Sequence, residues 1–101
     1  MKPKVLVIGG YGSVGREIVE LLKKDVDVVV GGRSLDKMKS FAEKSGVAFR
    51  QVDINNNDMI GQALEDICIV INCFINTENN YFYLQQTCID NGIHYLDIAG
   101  V

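Results

Sequence analysis

The sequence predicts a three-layer α/β fold, in which a parallel sheet of five strands is doubly wound with helices on both faces. Five short apolar runs alternate with four segments of helical periodicity, so that a helix connects each strand to the next. The first apolar run leads directly into a group of glycines, as in strand–turn–helix units that bind phosphate. Because crossovers between parallel strands are right-handed, we expect the strand order 3-2-1-4-5.

The first two strands are predicted from continuous apolar runs. Lys4–Ile8 and residues 26–30 have the length and composition of strands that are buried on both faces, and Gly31 and Gly32 are expected to end the second one. Between them, apolar residues recur at i, i+4, i+7 and i+8, which predicts one inward face of a helix. The residues of this face are Val14, Ile18, Leu21 and Leu22.

The second helix and third strand follow. Ser34 is expected to cap the helix and Gly46 to end it. Its predicted inward residues are Leu35, Met38, Phe41 and Ala42. Residues 47–53 are predicted to form the third strand, and because this segment contains Arg50 and Gln51 we expect it at an edge of the sheet.

The second half of the chain continues the alternation. Asn55, Asn56 and Asn57 predict a polar turn before a short helix, whose expected inward residues are Met59, Ile60, Ala63 and Leu64. Residues 67–74 form the most apolar run and are expected to be a central strand, followed by a loop over residues 75–80. A helix over residues 81–90 is expected to point Tyr81, Leu84, Cys88 and Ile89 inward, before Gly92 and a fifth strand at residues 94–98.

The strongest functional signal is the glycine turn, GGYGSVGR, at residues 9–16. Its segment Gly10-Tyr11-Gly12-Ser13-Val14-Gly15 matches G-x-G-x-x-G in the position after a strand and before a helix. Gly10 is expected to allow a tight turn, Gly12 to admit a pyrophosphate, and Gly15 to let the helix approach the strand. The alternative is a glycine-rich turn that binds nothing, and Tyr11 either covers the cofactor or lies at the surface.

The second functional signal is the end of the second strand, where the sequence reads Gly31-Gly32-Arg33-Ser34. Domains that select NAD usually carry an acidic residue here, about 20 residues after the glycines. Arg33 can instead pair with a 2′-phosphate, Ser34 can donate a hydrogen bond to it, and Lys37 follows one helical turn later. The sequence therefore predicts NADP in preference to NAD, although a solvated arginine and a helix cap would have the same pattern.

Two more candidates for cofactor binding lie at later strand ends, and a third follows the glycines. Asp53 closes the third strand, where it either contacts adenine or stabilises a turn. Asn72 ends the most buried strand and therefore needs a partner, either the nicotinamide-side ribose or neighbouring backbone. Arg16 either reaches a phosphate or is solvated.

Other chemistry-bearing residues carry less information. Cys73 is read as a small core residue, because no basic residue is near it in sequence. Asp97 is expected on the ligand side of the fifth strand, and His94 is read as structural. The chain has three cysteines, no C-x-x-C and one histidine, so neither a disulfide framework nor a metal site is expected.

Composition excludes several classes of function. The net charge of −3 and the isoelectric point of about 5.0 give no general attraction to nucleic acid or to anionic lipid. No apolar run reaches the roughly 18 residues of a membrane span, and no signal peptide is recognisable. With its unpaired cysteines, the chain is expected in the cytoplasm.

Taken together, these motifs resemble one known family. The segments KVLVIGGYGSVGR, VVVGGRS, QVDINN, VINC and GIHYLDIAG are similar to the N-terminal NADP-binding domain of the saccharopine dehydrogenase-like oxidoreductases. The resemblance implies a Rossmann domain over residues 1–101 that binds NADP, or NAD, with its glycines on the pyrophosphate and Arg33 and Ser34 at the adenosine phosphate. It also implies chemistry at amino-acid C–N bonds, for which the family uses a second domain that these residues do not include.

Three functions remain open at this point. The first is the cofactor domain of an NADP-dependent oxidoreductase, which we expect to bind nucleotide and to catalyse nothing without the second domain. The second is a non-catalytic NADP(H) sensor related to short-chain dehydrogenases. The third and weakest is a methyltransferase that uses S-adenosylmethionine, since the ribose-binding acid that such enzymes need after the second strand is missing. A homodimer through the outer edge of the fifth strand is also an expectation.

Overall fold

A computed structural model describes residues 2–73 and 81–98 of the chain. Within these residues the chain forms five strands and four helices in strict alternation. The strands are β1 (Lys4–Ile8), β2 (Asp27–Gly32), β3 (Ala48–Gln51), β4 (Ile69–Asn72) and β5 (His94–Asp97). The helices are α1 (Ser13–Leu22), α2 (Leu35–Ser45), α3 (Asn57–Ala63) and α4 (Phe82–Asp90).

The sheet confirms the predicted architecture. All four strand pairs are parallel, and the order is β3-β2-β1-β4-β5. The chain therefore winds outward from β1 in one direction and then returns to wind in the other. Because the strands are parallel, their carboxyl ends lie along one edge of the sheet, and the direction changes between β1 and β4.

Two apolar clusters cover the two faces of the sheet. Leu6 and Val29 belong to the cluster under α3 and α4, together with Ile60, Leu84 and Cys88. On the opposite face, the alternate residues of β1 and β2 pack against Val19 of α1 and Met38 of α2. The continuous apolar runs in β1 and β2 thus reflect burial on both faces, as predicted.

The predicted inward face of α1 is wrong in part. Val14 is 49% exposed and Leu21 is 74% exposed, whereas Gly15 and Val19 are buried. The helix docks through Gly15, the residue that approaches β1 most closely, and Val19 lies one turn further on. Leu21 is then about 200° around the helix from Val19 and points away from the sheet.

Two predicted inward residues on other helices are also exposed. Leu35 is 45% exposed at the start of α2, and Ile89 is 70% exposed on α4. In each helix the buried pair is spaced i, i+4, namely Met38 with Ala42 and Leu84 with Cys88. These pairs set the rotation of the helices and leave the two other residues outside the contact.

The predicted end of the second strand needs correction. β2 extends two residues further than predicted. Gly31 and Gly32 belong to the strand as its last two residues, and both are buried. A Cβ atom at Gly31 would lie 3.0 Å from Leu6 Cδ1, so this position faces the core. Gly46, in contrast, is confirmed as the end of α2, with the left-handed φ of 72° that favours glycine.

Strand β3 lies at the edge of the sheet, as its polar residues predict. Arg50 directs its guanidinium to the end of α3, where Nη1 donates to the carbonyl oxygens of Ala63 at 2.9 Å and Glu65 at 2.6 Å. The last carbonyls of a helix have no partner within the helix, so this arginine caps α3 from the neighbouring strand. At the other end of α3, the Asn56 side chain accepts from the Met59 N–H at 3.2 Å.

The later strands are shorter than predicted. β4 covers Ile69–Asn72 within the predicted 67–74, and β5 covers His94–Asp97 within 94–98. The predicted loop over residues 75–80, like residue 74, lies outside the described residues. No helix in the described part of the chain has the length and apolarity needed to cross a lipid bilayer.

Candidate functional site: the carboxyl ends of β1 and β2

The glycine turn is built around Gly9, a residue that the predicted motif leaves out. Gly9 has a φ of 77°, in the left-handed region that side chains disfavour. Its N–H donates to the Gly31 carbonyl at 2.8 Å, and its own carbonyl accepts from the Gly12 N–H at 3.0 Å. The tight turn is thus made by Gly9 and not by Gly10. The signal that could have revealed this is the doubled glycine, which also reads G-x-x-G-x-x-G from Gly9.

Gly10 and Gly15 have packing roles. A Cβ at Gly10 would lie 3.2 Å from methyl carbons of both Val19 and Val30, so the glycine lets α1 settle onto the sheet. A Cβ at Gly15 would lie 2.2 Å from the Gly9 carbonyl oxygen and 2.7 Å from the Gly10 Cα. These are backbone atoms that cannot move aside, and the predicted close approach of helix to strand at Gly15 is therefore confirmed.

The start of α1 has the properties of an anion-binding helix end. Gly12 is the N-cap and supplies no side-chain hydrogen bond, and the first turn contains no acidic residue. Gly12, Ser13 and Val14 are exposed. A Cβ at Gly12 would lie 3.3 Å from the Gly9 carbonyl oxygen, so a side chain here would crowd the turn, and the glycine leaves the exposed backbone accessible.

A cavity of about 450 Å³ lies beside this turn, at the carboxyl ends of the first three strands. Its lining residues are Ile8, Gly9, Tyr11, Gly32, Arg33, Ser34, Lys37, Val52 and Ile54. Ile8, Val52 and Ile54 give it an apolar wall, while Arg33 and Lys37 are the charged residues that line it. Among residues 2–73 and 81–98, no carboxylate is part of the lining. An apolar wall with a basic, hydroxyl-bearing rim suits a purine ring joined to a phosphorylated ribose.

The ring of Tyr11 forms one side of this cavity. Tyr11 is half-buried, and a Cβ at Gly32 would lie 2.5 Å from its Cε1 and 3.0 Å from its hydroxyl oxygen. The ring therefore rests against the backbone of Gly32, in space that any other residue at this position would fill. Tyr11 is thus packed on one side and accessible from the cavity on the other, and contact with a cofactor stays a prediction.

Arg16 makes two contacts within the protein that the sequence did not predict. Its Nη2 donates to the Tyr11 carbonyl at 3.0 Å, and its guanidinium carbon lies 5.5 Å from the centroid of the Phe41 ring on α2. The side chain thus links the glycine turn to the second helix. The side chain is exposed, and contact of Arg16 with a phosphate stays a prediction.

Ser34 and Asp53 stand differently with respect to the cavity. Ser34 occupies the N-cap of α2, as predicted, but its hydroxyl makes no cap hydrogen bond. The Asp53 carboxylate accepts from the Asn55 N–H at 2.9 Å, which is the turn-stabilising role. The residues on either side of Asp53 line the cavity, whereas its own side chain is not among the lining groups.

Asn72 lies apart from this cavity, at the carboxyl end of β4. It is completely buried, and its Nδ2 donates to the Tyr95 hydroxyl at 3.0 Å. Burial raises the pKa of Tyr95, and hydrogen bonds with Asn72 and Gln85 oppose that rise. The phenol is therefore protonated at neutral pH and joins β4, β5 and α4. Tyr95 is 23 positions from Asn72, and the sequence pattern does not indicate this pair.

Two other residues at this end confirm their predicted characters. Burial raises the pKa of the Cys73 thiol, and the nearby Asp97 carboxylate raises it further. Cys73 is thus a poor nucleophile at neutral pH. Asp97 is exposed and pairs in register with Asn72, which places it at the carboxyl end of β5 as expected.

The predicted site residues therefore fall into two groups. We call the cavity region with Gly9, Tyr11, Gly32, Arg33 and Ser34 the open corner. We call the hydrogen-bonded group of Asn72, Gln85 and Tyr95 the filled corner. Within residues 2–73 and 81–98, no cluster of histidine, cysteine or carboxylate side chains could hold a metal ion.

Comparison with known proteins shows the family of this chain. The family profile described as the saccharopine dehydrogenase NADP binding domain matches residues 5–100. The chain is 33% identical over 69 residues to Prestalk A differentiation protein A of Dictyostelium discoideum, a match that covers 65% of this chain and 23% of that protein.

Solved structures share the fold. The apo saccharopine dehydrogenase (L-Glu forming) of Saccharomyces cerevisiae superposes with a TM-score of 0.78 at 21% identity, over 94% of this chain and 21% of that one. A short-chain dehydrogenase/reductase of Veillonella parvula, in complex with NADP, superposes with a TM-score of 0.76 at 14% identity, over 96% of this chain and 47% of that one. The chain thus spans less than half the length of each of these relatives.

Proposed function

Because the chain belongs to the saccharopine dehydrogenase NADP-binding domain family, we propose that it binds NADP(H) at the open corner. The pyrophosphate lies against the backbone of residues 10–15 at the start of α1, where the helix dipole favours an anion. The 2′-phosphate is bound by Arg33 and Ser34, with Lys37 one turn along α2. The observation that carries this proposal is the cavity at the end of β2. Arg33 and Lys37 line it, and its described lining residues include no carboxylate.

The residues present fit this cofactor in three respects. The first turn of α1 has no acidic residue that would repel a pyrophosphate. Gly12 is exposed and has no side chain between its backbone and a ligand. Val52 and Ile54 provide apolar surface for the adenine, while Asp53 between them keeps the backbone turn in place. We propose that Asn72 does not contact the cofactor directly. It stabilises the carboxyl end of β4, next to which the nicotinamide side of the cofactor would lie.

The activity of the whole protein is a further part of the proposal. We propose an oxidoreductase that acts on amino-acid C–N bonds, in which the bound cofactor supplies the hydride. Asn72 and Tyr95 are hydrogen-bonded to each other, and we propose that groups outside these residues complete the substrate pocket. The 101-residue chain alone is expected to show no turnover with any amino-acid and oxo-acid pair.

Localisation and assembly are also proposals. The three cysteines are unpaired, which supports a reducing compartment such as the cytoplasm. β5 is the outermost strand and leaves Leu96 and Ile98 exposed, which supports self-association through this edge. Light scattering over a range of concentrations tests the latter, and a monomer throughout would contradict it.

Calorimetric titration of the chain with NADPH and NADH tests cofactor binding. We expect tighter binding of NADPH, and we expect Arg33→Met to weaken NADPH binding about tenfold with little change for NADH, because the guanidinium contacts the extra phosphate. Lys39→Met is the matched control, since it removes one positive charge from an exposed position on α2 that lines no part of the cavity. Equal affinity for the two cofactors, or tighter binding of NADH, would contradict the proposal.

A further inference from the structure

The glycine turn and the β2–α2 connection are joined by side chains outside the strand hydrogen bonds. The Arg16 guanidinium bonds the Tyr11 carbonyl at 3.0 Å and stacks over Phe41 at 5.5 Å. Phe41 is itself half-buried and packs against the core cluster between the sheet and α2. Arg16 therefore fixes a backbone atom of the turn to a side chain that is anchored in the second helix.

A second contact joins the same two segments. The Tyr11 ring rests on Gly32, the last residue of β2, just before Arg33. Tyr11 and Lys37 also line a neighbouring cavity of about 430 Å³, whose wall includes Arg16 and Phe41. The link between turn and helix therefore lies directly behind the residues that line the cofactor cavity.

We propose that Arg16 and Phe41 form a brace that fixes the spacing between the pyrophosphate end and the 2′-phosphate end of the open corner. Arg16 is a positioning residue in this arrangement and not a phosphate ligand. The proposal rests on the proposed function, because the two ends have a common ligand only if a phosphorylated dinucleotide binds there. A ligand that touches both ends gains affinity when their spacing is preset, whereas a ligand that touches one end does not.

Arginine suits this role better than lysine. Its planar guanidinium stacks on an aromatic ring with one face and still directs N–H groups to a carbonyl in its own plane. Both contacts use geometry as well as charge. Loss of Phe41 should therefore disturb the brace even though Phe41 carries no charge that could reach a phosphate.

The experiment compares a long ligand with a short one. Wild type, Arg16→Met, Phe41→Leu and the control Lys39→Met are titrated with NADPH and with adenosine 2′-phosphate, which reaches only the Arg33 end. We expect Arg16→Met and Phe41→Leu each to weaken NADPH binding about fivefold and to change adenosine 2′-phosphate binding less than about twofold. The control should match wild type with both ligands.

Hydrogen exchange without ligand gives a second, independent measurement. We expect faster exchange in the segment 9–16 in Arg16→Met and Phe41→Leu, and no change in Lys39→Met, because the brace restrains the turn. NADPH binding that is lost in Arg16→Met but unchanged in Phe41→Leu would identify Arg16 as a phosphate ligand and overturn the brace. Exchange and affinity both equal to wild type in Phe41→Leu would also overturn it.

The two proposals fail in different ways. If wild type binds no NADPH, the proposed function is wrong, and the exchange rates of residues 9–16 still decide whether Arg16 and Phe41 restrain the turn. If wild type binds NADPH and the two variants bind both ligands as well as wild type does, the proposed function stands and the brace is wrong.

Discussion

The open corner and the filled corner lie on the same edge of one sheet, yet they are built in opposite ways. At the ends of β1 and β2 the chain places glycines, and the backbone borders a cavity. At the end of β4 it places the buried Asn72, whose side chain is hydrogen-bonded to the half-buried Tyr95 of β5. A parallel sheet gathers its strand ends along one edge, and the side chains decide which part of that edge stays available for a ligand.

The largest expected effect comes from adding a single methyl group where α1 contacts the glycine turn beside the open corner. Gly15→Ala places a Cβ 2.2 Å from the Gly9 carbonyl oxygen, so α1 must move away from the turn. We expect a loss of about 3 kcal/mol in the free energy of unfolding, measured with urea, and loss of NADPH binding.

Gly61→Ala is the control for that substitution. Gly61 lies in α3, and nothing is within 4 Å of a Cβ placed there. Alanine favours the helix by up to about 1 kcal/mol, so this variant should be as stable as wild type or more stable. A Gly15→Ala chain as stable as wild type would contradict the conclusion that α1 needs a glycine at this position to pack against the turn.

The next effect concerns the filled corner. Asn72→Ala empties the fully buried position of the amide and leaves the half-buried Tyr95 hydroxyl without this donor, and we expect a loss of about 2 kcal/mol in the free energy of unfolding. Tyr95→Phe removes the other partner and should cost about 1 kcal/mol, with NADPH affinity unchanged. A double-mutant cycle gives the coupling between the two side chains. If Tyr95→Phe alters NADPH affinity, the two corners do not act separately and the comparison breaks down.

The smallest effect concerns the surface contact that ties α1 to α2 behind the open corner. Glu20 accepts from Ser45 Oγ at 2.7 Å and pairs with Lys23 at 2.6 Å. Hydrogen bonds from Lys23 and Ser45 lower the pKa of Glu20 in the folded chain, so the contact stabilises above the pKa of the unfolded state and is lost as pH falls through the folded one.

Thermal unfolding at two pH values measures this contribution. At neutral pH we expect Glu20→Gln to lower the Tm by at most about 2 °C, because both partners are exposed to solvent. The difference should shrink as the pH falls through the lowered pKa of Glu20 and vanish once the carboxyl of the wild type is protonated. Glu17→Gln, on the same helix and likewise exposed, is the control. A difference that persists at acidic pH would rule out the charge as its source.

Much of the fold could be predicted because strands that are buried on both faces have continuous apolar sequences. The runs around Leu6, Val29 and Val70 are apolar on both faces, and the right-handed crossover rule then fixes the strand order. The rotation of each helix was less predictable. Val14 and Leu21 match helical periodicity as well as Val19 does, and only the close contact at Gly15 decides which of them is buried.

The candidate site could be predicted where it consists of backbone and of residues that are adjacent in sequence. The glycine turn and the Arg33 segment could be identified because each is contiguous in sequence. The partner of Asn72 could not, because Tyr95 is 23 positions away in sequence and reaches Asn72 diagonally across the β4–β5 pair, in which Asn72 lies opposite Asp97. The contact of Arg16 with Phe41 depends on the packing of two helices, which no local pattern specifies.

The paired glycines at the end of β2 restrict how the preference of this domain for one nucleotide over another can be re-engineered. A side chain at Gly31 would push into Leu6 and Val52, and one at Gly32 would displace Tyr11. Even alanine would therefore be crowded at either position, and an acidic side chain would be more so. Any redesign toward the unphosphorylated coenzyme would have to begin at residue 33 and proceed along α2, where new side chains reach solvent.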